Sequence, residues 1–277
     1  MELNGVNEKK SIFLENDVYF METLADFIVI NFDYNGIKFF DFELNLIEQI
    51  KWKREVMIYS SFTYKNELLL FCPDNECLIY IYIEKDRFTY QFIELKDFGK
   101  YIFTELYEWK EDNVLLFTYQ GEILCVDLKK GNVRHLNDQL ENKETLSLKQ
   151  YISKLSDLNI LKVCSQQHVA VIQKEKTKIE FVDYREKIKV LMRLEKGAYH
   201  DWETKEGYLV AIGEKKLLVC HDGGKKEYFP EGNGVFLRGK FAKKNEKLYF
   251  FLLIGDKSDC KKTYITKYSC ENLIKSI

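Results

Sequence analysis

The sequence predicts an all-β protein built from six similar units of about four strands each. The first observation is a series of short apolar runs of strand length, which recur at intervals of 41, 46, 55, 39 and 40 residues. The second is a polar turn and a further apolar run after each of them. The runs begin at Phe27, Leu68, Val114, Val169, Tyr208 and Leu248.

The clearest unit is NVLLFTYQGEILCVDLKKGNVRHL, residues 113–136. Val114 to Phe117 has the length and apolarity of a buried strand, and a Gln-Gly turn follows it. Ile123 to Leu128 is a second apolar run, in which Asp127 begins a turn that Gly131 completes. Asn132 to Leu136 is more polar, as an outer strand should be. The unit therefore predicts antiparallel strands joined by tight turns.

Two residue types recur at equivalent positions of the units. An aspartate ends the second run in four units, and because it repeats, we interpret it as a turn residue and not as a catalytic or metal-binding one. These residues are Asp41, Asp127, Asp183 and Asp222. An aromatic residue precedes the first run in four units and is expected to pack between units. These residues are Phe62, Trp109, Trp202 and Phe241.

A period of 40–50 residues with several strands in each unit is typical of propeller blades, which cannot bury their faces alone. The sequence therefore predicts a single domain over residues 1–277, a six-bladed β-propeller with a short helical insertion between blades three and four. A pair of β-sandwiches joined by a helical linker is the alternative fold. The predicted blades are 12–53, 57–95, 101–136, 160–194, 198–229 and 235–277, with the insertion at 137–159.

The insertion places Leu148, Ile152 and Leu155 on one face of a helix, with Ser147 as its N-cap. Such a helix would either dock a partner on the propeller face or fold back on the blades. The end of the chain leaves a second question open. A fourth strand is expected near Leu273 to Ile277, so the ring closes either by packing alone or by adding residues 1–11 to the last sheet.

The segment VDLKKGNV at 126–133 resembles the generic β-propeller repeat, in which a strand ends in Asp and turns through Gly into the outer strand. The resemblance covers about residues 12–277 and implies the propeller architecture. The Gly-His and Trp-Asp dipeptides of WD40 repeats, the kelch double glycine at matching positions and the sialidase Asp box are absent from the sequence. No functional residue is therefore carried over from a named family.

Composition limits the partners and the compartment. The net charge is −2, with 42 basic and 44 acidic residues interspersed, so no nucleic-acid partner is expected. Lysine pairs such as Lys215-Lys216 fall in predicted turns and are interpreted as solvated hairpin tips. No apolar run is long enough for a membrane span and the N-terminus lacks a signal-peptide pattern, so we expect a cytoplasmic protein that contacts no membrane.

Seven cysteines, most of them inside apolar strands, are typical of buried free thiols in a reducing compartment. Cys72 and Cys77 flank a turn, and their spacing is compatible with half of a zinc site. No second Cys/His pair stands at matching spacing, so neither a metal site nor a cofactor is predicted.

No Walker A, G-x-G-x-x-G or G-x-S-x-G motif is present. His200 stands beside Asp201 on a predicted innermost strand, where it would act as an acid or base or bond within its blade. The candidate catalytic residues are His200, Arg238 and Glu105. The candidate ligand-binding residues are Tyr59, Thr104, Tyr199, His200 and Arg238. Arg238 facing Glu105 or Asp17 would create a polar funnel near the axis.

Two functions follow from these features. The first is a non-catalytic scaffold that binds a protein or peptide through its face and its helical insertion, with an oligomeric state that the sequence leaves open. The second is a propeller enzyme, or a protein that binds a small molecule or carbohydrate, using polar residues of the central channel. Propellers host both kinds of function, so the fold does not choose between them.

Overall fold

The computed structural model of the chain describes residues 9–64, 66–85, 87–95, 103–110, 112–118, 122–135, 160–164, 169–175, 178–183, 189–195 and 198–275. These residues form six four-stranded antiparallel sheets. The chain divides into two compact modules. The terminal module comprises Met1–Met21, Asp41–Asn45 and Ser147–Ile277, and the middle module comprises Glu22–Phe40 and Leu46–Leu146.

The middle module contains three sheets, each a meander in which consecutive strands are neighbours. The first consists of β2 (Met21–Leu24), β3 (Phe27–Asn31), β4 (Gly36–Phe40) and β5 (Leu46–Lys51). The second consists of β6 (Ser60–Tyr64), β7 (Glu67–Cys72), β8 (Cys77–Glu84) and β9 (Arg87–Glu94). The third consists of β10 (Phe103–Lys110), β11 (Asn113–Thr118), β12 (Ile123–Asp127) and β13 (Asn132–His135).

The terminal module also contains three sheets, of which two are simple meanders. The first consists of β14 (Ile160–Cys164), β15 (Val169–Glu175), β16 (Lys178–Asp183) and β17 (Lys189–Glu195). The second consists of β18 (Asp201–Lys205), β19 (Tyr208–Gly213), β20 (Lys216–His221) and β21 (Gly224–Tyr228). The third joins β1 (Lys9–Leu14) to β22 (Gly234–Lys244), β23 (Lys247–Asp256) and β24 (Asp259–Ser269), which helix α1 (Cys270–Lys275) follows.

The cores lie between sheets, because the middle strands are apolar on both faces. All six residues of β19 are buried, and β20 buries four of its six. In the middle module, one cluster combines side chains of β7 and β8 with side chains of β11 and β12, including Leu78 and Val126. Within each module, consecutive sheets therefore cover one another's faces in these clusters, which is the packing that the repeated apolar runs predict.

Two of the repeated aspartates hold turns through their side chains, and a third, Asp222, lies in the turn between β20 and β21 with φ 47°. Asp41 Oδ1 accepts hydrogen bonds from the backbone N–H groups of Glu43 and Asn45, both at 2.8 Å. Asp127 Oδ1 accepts one from Lys130 N at 2.9 Å, and Gly131 follows with φ +67°. The interpretation as turn chemistry is confirmed at these two positions. The side chain of Asp183 lies outside the described residues.

The repeated aromatic residues pack in the cores. Trp202 on β18 and Phe241 on β22 are buried in two clusters of the terminal module. Phe62 on β6 packs against the cluster of the middle module. Trp109 lies on β10, but its side chain is outside the described residues. The packing role is therefore confirmed for three of the four residues.

The last sheet differs from the prediction of a strand near Leu273. That residue lies in α1, where Cys270 and Leu273 are buried one helical turn apart and the Tyr228 hydroxyl donates a hydrogen bond to the Leu273 carbonyl. The fourth strand is instead β1, which pairs antiparallel with β24 from Lys9↔Tyr268 to Leu14↔Thr263. The two ends of the described chain thus share one sheet.

The described residues test the predictions on the helical insertion and on the cysteines only in part. The helical insertion at 137–159 lies outside the described residues. Five cysteines are buried free thiols and Cys260 is an exposed one, while the side chain of Cys164 is not described. Within the described ranges, no helix has the length and apolarity needed to span a membrane.

Candidate functional site

An open groove of about 760 Å³ lies at one end of the sheet β18–β21 in the terminal module. Its walls come from residues 198–200 before β18, the turn 214–216 between β19 and β20, Phe229 after β21, and Phe236 and Leu237 on β22. Two of the predicted ligand-binding residues, Tyr199 and His200, therefore line the same groove. The turn 214–216 joins β19 and β20, whose residues are mostly buried, so this wall is held by the core of the sheet.

The segment 198–200 continues the pairing of β18 with β19. His200 N donates a hydrogen bond to Ile212 O at 2.8 Å, one residue before β18 begins. Because side chains alternate in an extended chain, Tyr199 and Asp201 are buried while His200 is exposed. Gly213 allows this approach, since a Cβ at that position would lie 1.7 Å from Ala198 O.

The His200 imidazole is oriented by the strand across the groove. Its Nε2 lies 2.9 Å from Leu237 O on β22. Because a carbonyl oxygen only accepts, Nε2 carries a proton in this contact. The contact therefore fixes the orientation of the ring at the wall of the groove.

Tyr199 and the two lysines of the turn form the polar part of the groove. Burial raises the pKa of the Tyr199 phenol, and the neighbouring Lys216 ammonium acts in the opposite direction. The Lys216 Nζ lies 4.8 Å from the centroid of the Tyr199 ring, a cation–π distance. Lys215 Nζ donates to Gly234 O at 2.9 Å, so it ties the turn to the start of β22.

The apolar part of the groove consists of aromatic and aliphatic side chains. Phe236 is fully buried, and its N–H donates to Glu214 O at 3.0 Å. Phe229 is 44% exposed although it follows directly after the fully buried Tyr228. A large aromatic ring with this exposure, at the rim of a groove with hydrogen-bonding groups, is a surface that a partner can cover.

Arg238 lies beside the groove residue Leu237 but is engaged elsewhere. Its Nη1 is 3.7 Å from Asp201 Oδ2, and the Asp201 carboxylate is buried. Glu203 pairs with Lys240 at 2.7 Å, and Glu206 pairs with Lys243 at 3.0 Å. These three ion pairs join β18 and the turn after it to β22. Arg238 therefore has the Asp201 carboxylate as a neighbour. That it faces Glu105 or Asp17 stays a prediction, because the side chain of Glu105 lies outside the described residues.

The remaining candidates belong to the middle module. Tyr59 is 72% exposed just before β6, with its N–H donating to Phe71 O at 2.9 Å. Thr104 and Glu105 lie on β10, but their side chains are outside the described residues. In the part of the chain that the structure covers, no group of three or more His, Cys, Asp or Glu residues is placed to hold a metal ion.

Sequence reasoning missed most of the groove. It interpreted Lys215 and Lys216 as solvated hairpin tips, although Lys216 contacts the Tyr199 ring. It did not select Phe229, Phe236 or Leu237. Polar turns and aromatic residues near strand ends recur in several units. No local signal therefore separates these residues from their counterparts.

Comparison with known proteins finds no matching family model and no matching curated protein. Solved structures do match. YCF48 from Cyanidioschyzon merolae has a TM-score of 0.58 at 10% identity, covering 95% of this chain and 99% of its own. YCF48 bound to D1 peptide has a TM-score of 0.57 at 12% identity, covering 95% and 97%. These identities support the fold alone.

A more distant match is virginiamycin B lyase from Staphylococcus aureus, with a TM-score of 0.44 and 11% identity over 90% of this chain and 80% of that protein. That similarity is too low to carry an argument. The structural neighbours have β-propeller-type folds, and the nearly all-β chain with its four-stranded antiparallel sheets agrees with them. The prediction of a propeller-type fold is thus supported at this level.

Proposed function

We propose that this protein is a non-catalytic, six-bladed propeller scaffold that binds an extended segment of a partner protein in the groove between Tyr199 and Phe229. The observation that carries the proposal is the half-exposed Phe229 ring beside the oriented His200 imidazole. An aromatic anchor next to a few fixed hydrogen-bonding groups is the usual composition of a binding hot spot.

The charges around the groove favour binding over catalysis. The carboxylates of Asp201, Glu203 and Glu206 each lie next to a cation of β22, so they stabilise the contact between two neighbouring sheets. A hydrolase would need a carboxylate or an imidazole matched to a second titratable group across a substrate. The carboxylate among the groove's lining residues, that of Glu214, lies 3.9 Å from Lys257 Nζ. The groove otherwise offers backbone carbonyls, a tyrosine and an aromatic rim, which suit recognition of a peptide backbone and its side chains.

The structural comparison adds support of a general kind. A structurally similar protein, YCF48, has been solved bound to D1 peptide. The similarity covers nearly the whole of both chains. Propeller-type folds also include enzymes, so the comparison makes a peptide partner a reasonable choice without naming the peptide.

The six-bladed ring and the insertion belong to the same proposal. The six sheets follow one another along the chain, and β1 completes the last of them. We propose that each sheet is one blade, that residues 1–277 form a single ring, and that residues 137–159 form the inserted helix and add contacts to the partner.

The first experiment is selection from a random 12-residue peptide library displayed on phage, with the full chain immobilised. The affinity of one selected peptide is then measured by fluorescence anisotropy for wild type, Phe229→Ala and Tyr264→Ala. Tyr264 is the matched control, because it is 42% exposed in the same module but lies on β24. Phe229→Ala is expected to weaken binding about tenfold or more, as for a hot-spot residue.

Tyr264→Ala is expected to leave the affinity unchanged. Enrichment of no peptide sequence would count against a peptide-binding function. Equal affinities for wild type and Phe229→Ala would move the binding site away from the groove. Both variants change exposed side chains, so their circular dichroism should match that of wild type.

A further inference from the structure

Two cysteines face each other in the second sheet of the middle module. Cys72 ends β7 and Cys77 begins β8, and the two residues are directly opposite in the antiparallel register. Both are fully buried free thiols. Only the turn Pro73–Asn75 and Glu76 separate them along the chain. They therefore form the last cross-strand pair before a tight turn.

This placement meets the geometric requirement of a disulfide. Cross-strand partners have Cα atoms about 4.5–5.5 Å apart and project their side chains on the same face, whereas disulfides need about 4.4–6.8 Å between Cα atoms. Other buried cysteines lack this relation. Cys125 faces Leu115 and Cys220 faces Leu209 across their ladders.

The surroundings of the two thiols differ in a way that favours reaction. A hydrogen bond from Cys72 lowers the pKa of Cys77 and outweighs burial, which raises it. The guanidinium of Arg54 adds to the lowering, and the Glu94 carboxylate acts in the opposite direction. The hydrogen bond to Cys77 raises the pKa of Cys72. Arg54 is held in place by Glu94, whose carboxylate lies 3.0 Å away and whose position faces Cys77 in the ladder. A thiolate next to a fixed cation is the more reactive form of cysteine.

We propose that Cys72 and Cys77 form an oxidative modification site, a dithiol that a hydroperoxide converts into a disulfide within the β7–β8 hairpin. The Cys77 thiolate attacks one oxygen of the hydroperoxide, the O–O bond breaks, and Cys77 becomes a sulfenic acid as hydroxide or alkoxide leaves. The Cys72 sulfur then attacks the Cys77 sulfur. Hydroxide leaves, takes the Cys72 proton and departs as water. The thiols lose two electrons and the hydroperoxide gains them.

The position of the two thiols favours a small oxidant and a disulfide that leaves the hairpin intact. Both sulfurs are buried, so a compact hydroperoxide reaches them more easily than a bulky disulfide does. The bond would join strands that already pair along their whole length. The turn also holds the neighbouring loop, since Asn75 Oδ1 accepts from Met57 N at 3.0 Å and Asn75 Nδ2 donates to Glu55 O at 3.2 Å. Oxidation would therefore stiffen the turn that supports the segment leading to Tyr59.

The test uses the full chain with Cys260→Ser, which removes the exposed thiol. The protein is treated with hydrogen peroxide, and its mass and non-reduced peptide map are recorded. The expected result is a mass loss of about 2 Da, a disulfide between Cys72 and Cys77, and recovery of both thiols with dithiothreitol. Oxidation of other cysteines while Cys72 and Cys77 remain reduced would overturn the proposal.

Two single variants test the order of the steps. In Cys72→Ser, the second step is blocked, so a dimedone adduct should accumulate on Cys77. In Cys77→Ser, the contact with the Cys77 thiol is lost but burial still raises the pKa of Cys72, so Cys72 should give much less adduct. Equal labelling of the two cysteines would contradict the assigned roles. The wild-type peptide map decides whether the disulfide forms even if a variant folds poorly.

Discussion

Replacing Gly213 by Ala should destabilise the fold and displace one wall of the groove, because Gly213 lies where two backbone segments come unusually close. A Cβ at this position would be 1.7 Å from Ala198 O and 2.9 Å from Ala198 C. Both atoms belong to the backbone, so no side-chain rotation can relieve the contact. The two segments must move apart by about 1.7 Å or more before the distance becomes an ordinary van der Waals contact.

The cost follows from that movement. Forcing extra volume into a packed site costs about 1–3 kcal/mol. Separation of the strands also strains the hydrogen bond from His200 N to Ile212 O, which contributes about 1 kcal/mol. The expected loss in the free energy of unfolding is therefore about 3 kcal/mol. The same shift displaces Tyr199 and His200, so binding of a groove-selected peptide should fall with it.

Urea denaturation monitored by tryptophan fluorescence measures this loss, with an unchanged m-value showing that the unfolding transition is the same. Gly224→Ala is the matched control in the same sheet, because the nearest atom to its Cβ would be His221 O at 3.2 Å and its φ is not positive. We expect that control to change stability by less than about 1 kcal/mol. A Gly213→Ala variant as stable as Gly224→Ala would refute the close-approach argument.

Three further predictions test other parts of the chain. Lys267→Met removes hydrogen bonds to Phe42 O at 3.0 Å and Glu43 Oε1 at 2.9 Å from a buried ammonium. The variant should lose about 1–3 kcal/mol of the free energy of unfolding, as measured by urea denaturation. Lys10→Met is the control, because it removes only an exposed contact to the same carboxylate at 4.0 Å. It should lose less than about 0.5 kcal/mol. The hydrogen bond from Lys130 N lowers the pKa of Asp127, so its charged form stabilises the fold. Wild type should therefore have a larger free energy of unfolding than Asp127→Asn above pH about 4, the pKa of the unfolded state. This difference should vanish as the pH falls through the lower pKa of the folded state. Denaturation curves recorded over a pH series measure it. A single ring of 277 residues should have a radius of gyration of about 19 Å in X-ray solution scattering, and a clearly larger value would exclude it.

The repeated elements could be predicted because their signals are local. Val114 to Phe117 is buried where the structure describes its side chains, and Asp127 with Gly131 forms the expected turn. Trp202 packs in a core as its repeated position indicated. Apolar alternation and turn chemistry depend on a few neighbouring residues, so they can be seen in a single sequence.

The groove could be predicted only in part. Tyr199 and His200 were selected because they stand near the start of an inner strand, and both line it. The carbonyl that orients His200 belongs to Leu237, and the aromatic rim belongs to Phe229, which are far away along the chain. Backbone groups and half-exposed aromatic rings carry no distinctive pattern, so only their position in space shows their role.

The order of the strands, the turns and the inward-facing side chains are properties of short segments, and the repeat in the chain determines them. The partner of β24, the carboxylate beside Arg238 and the walls of the groove depend on contacts between distant segments. The sequence leaves several partners possible for each of these, such as a terminal strand from either end of the chain. Tertiary packing selects one of them: β1 pairs with β24 over six residue pairs, from Lys9↔Tyr268 to Leu14↔Thr263, whereas the C-terminal residues form α1.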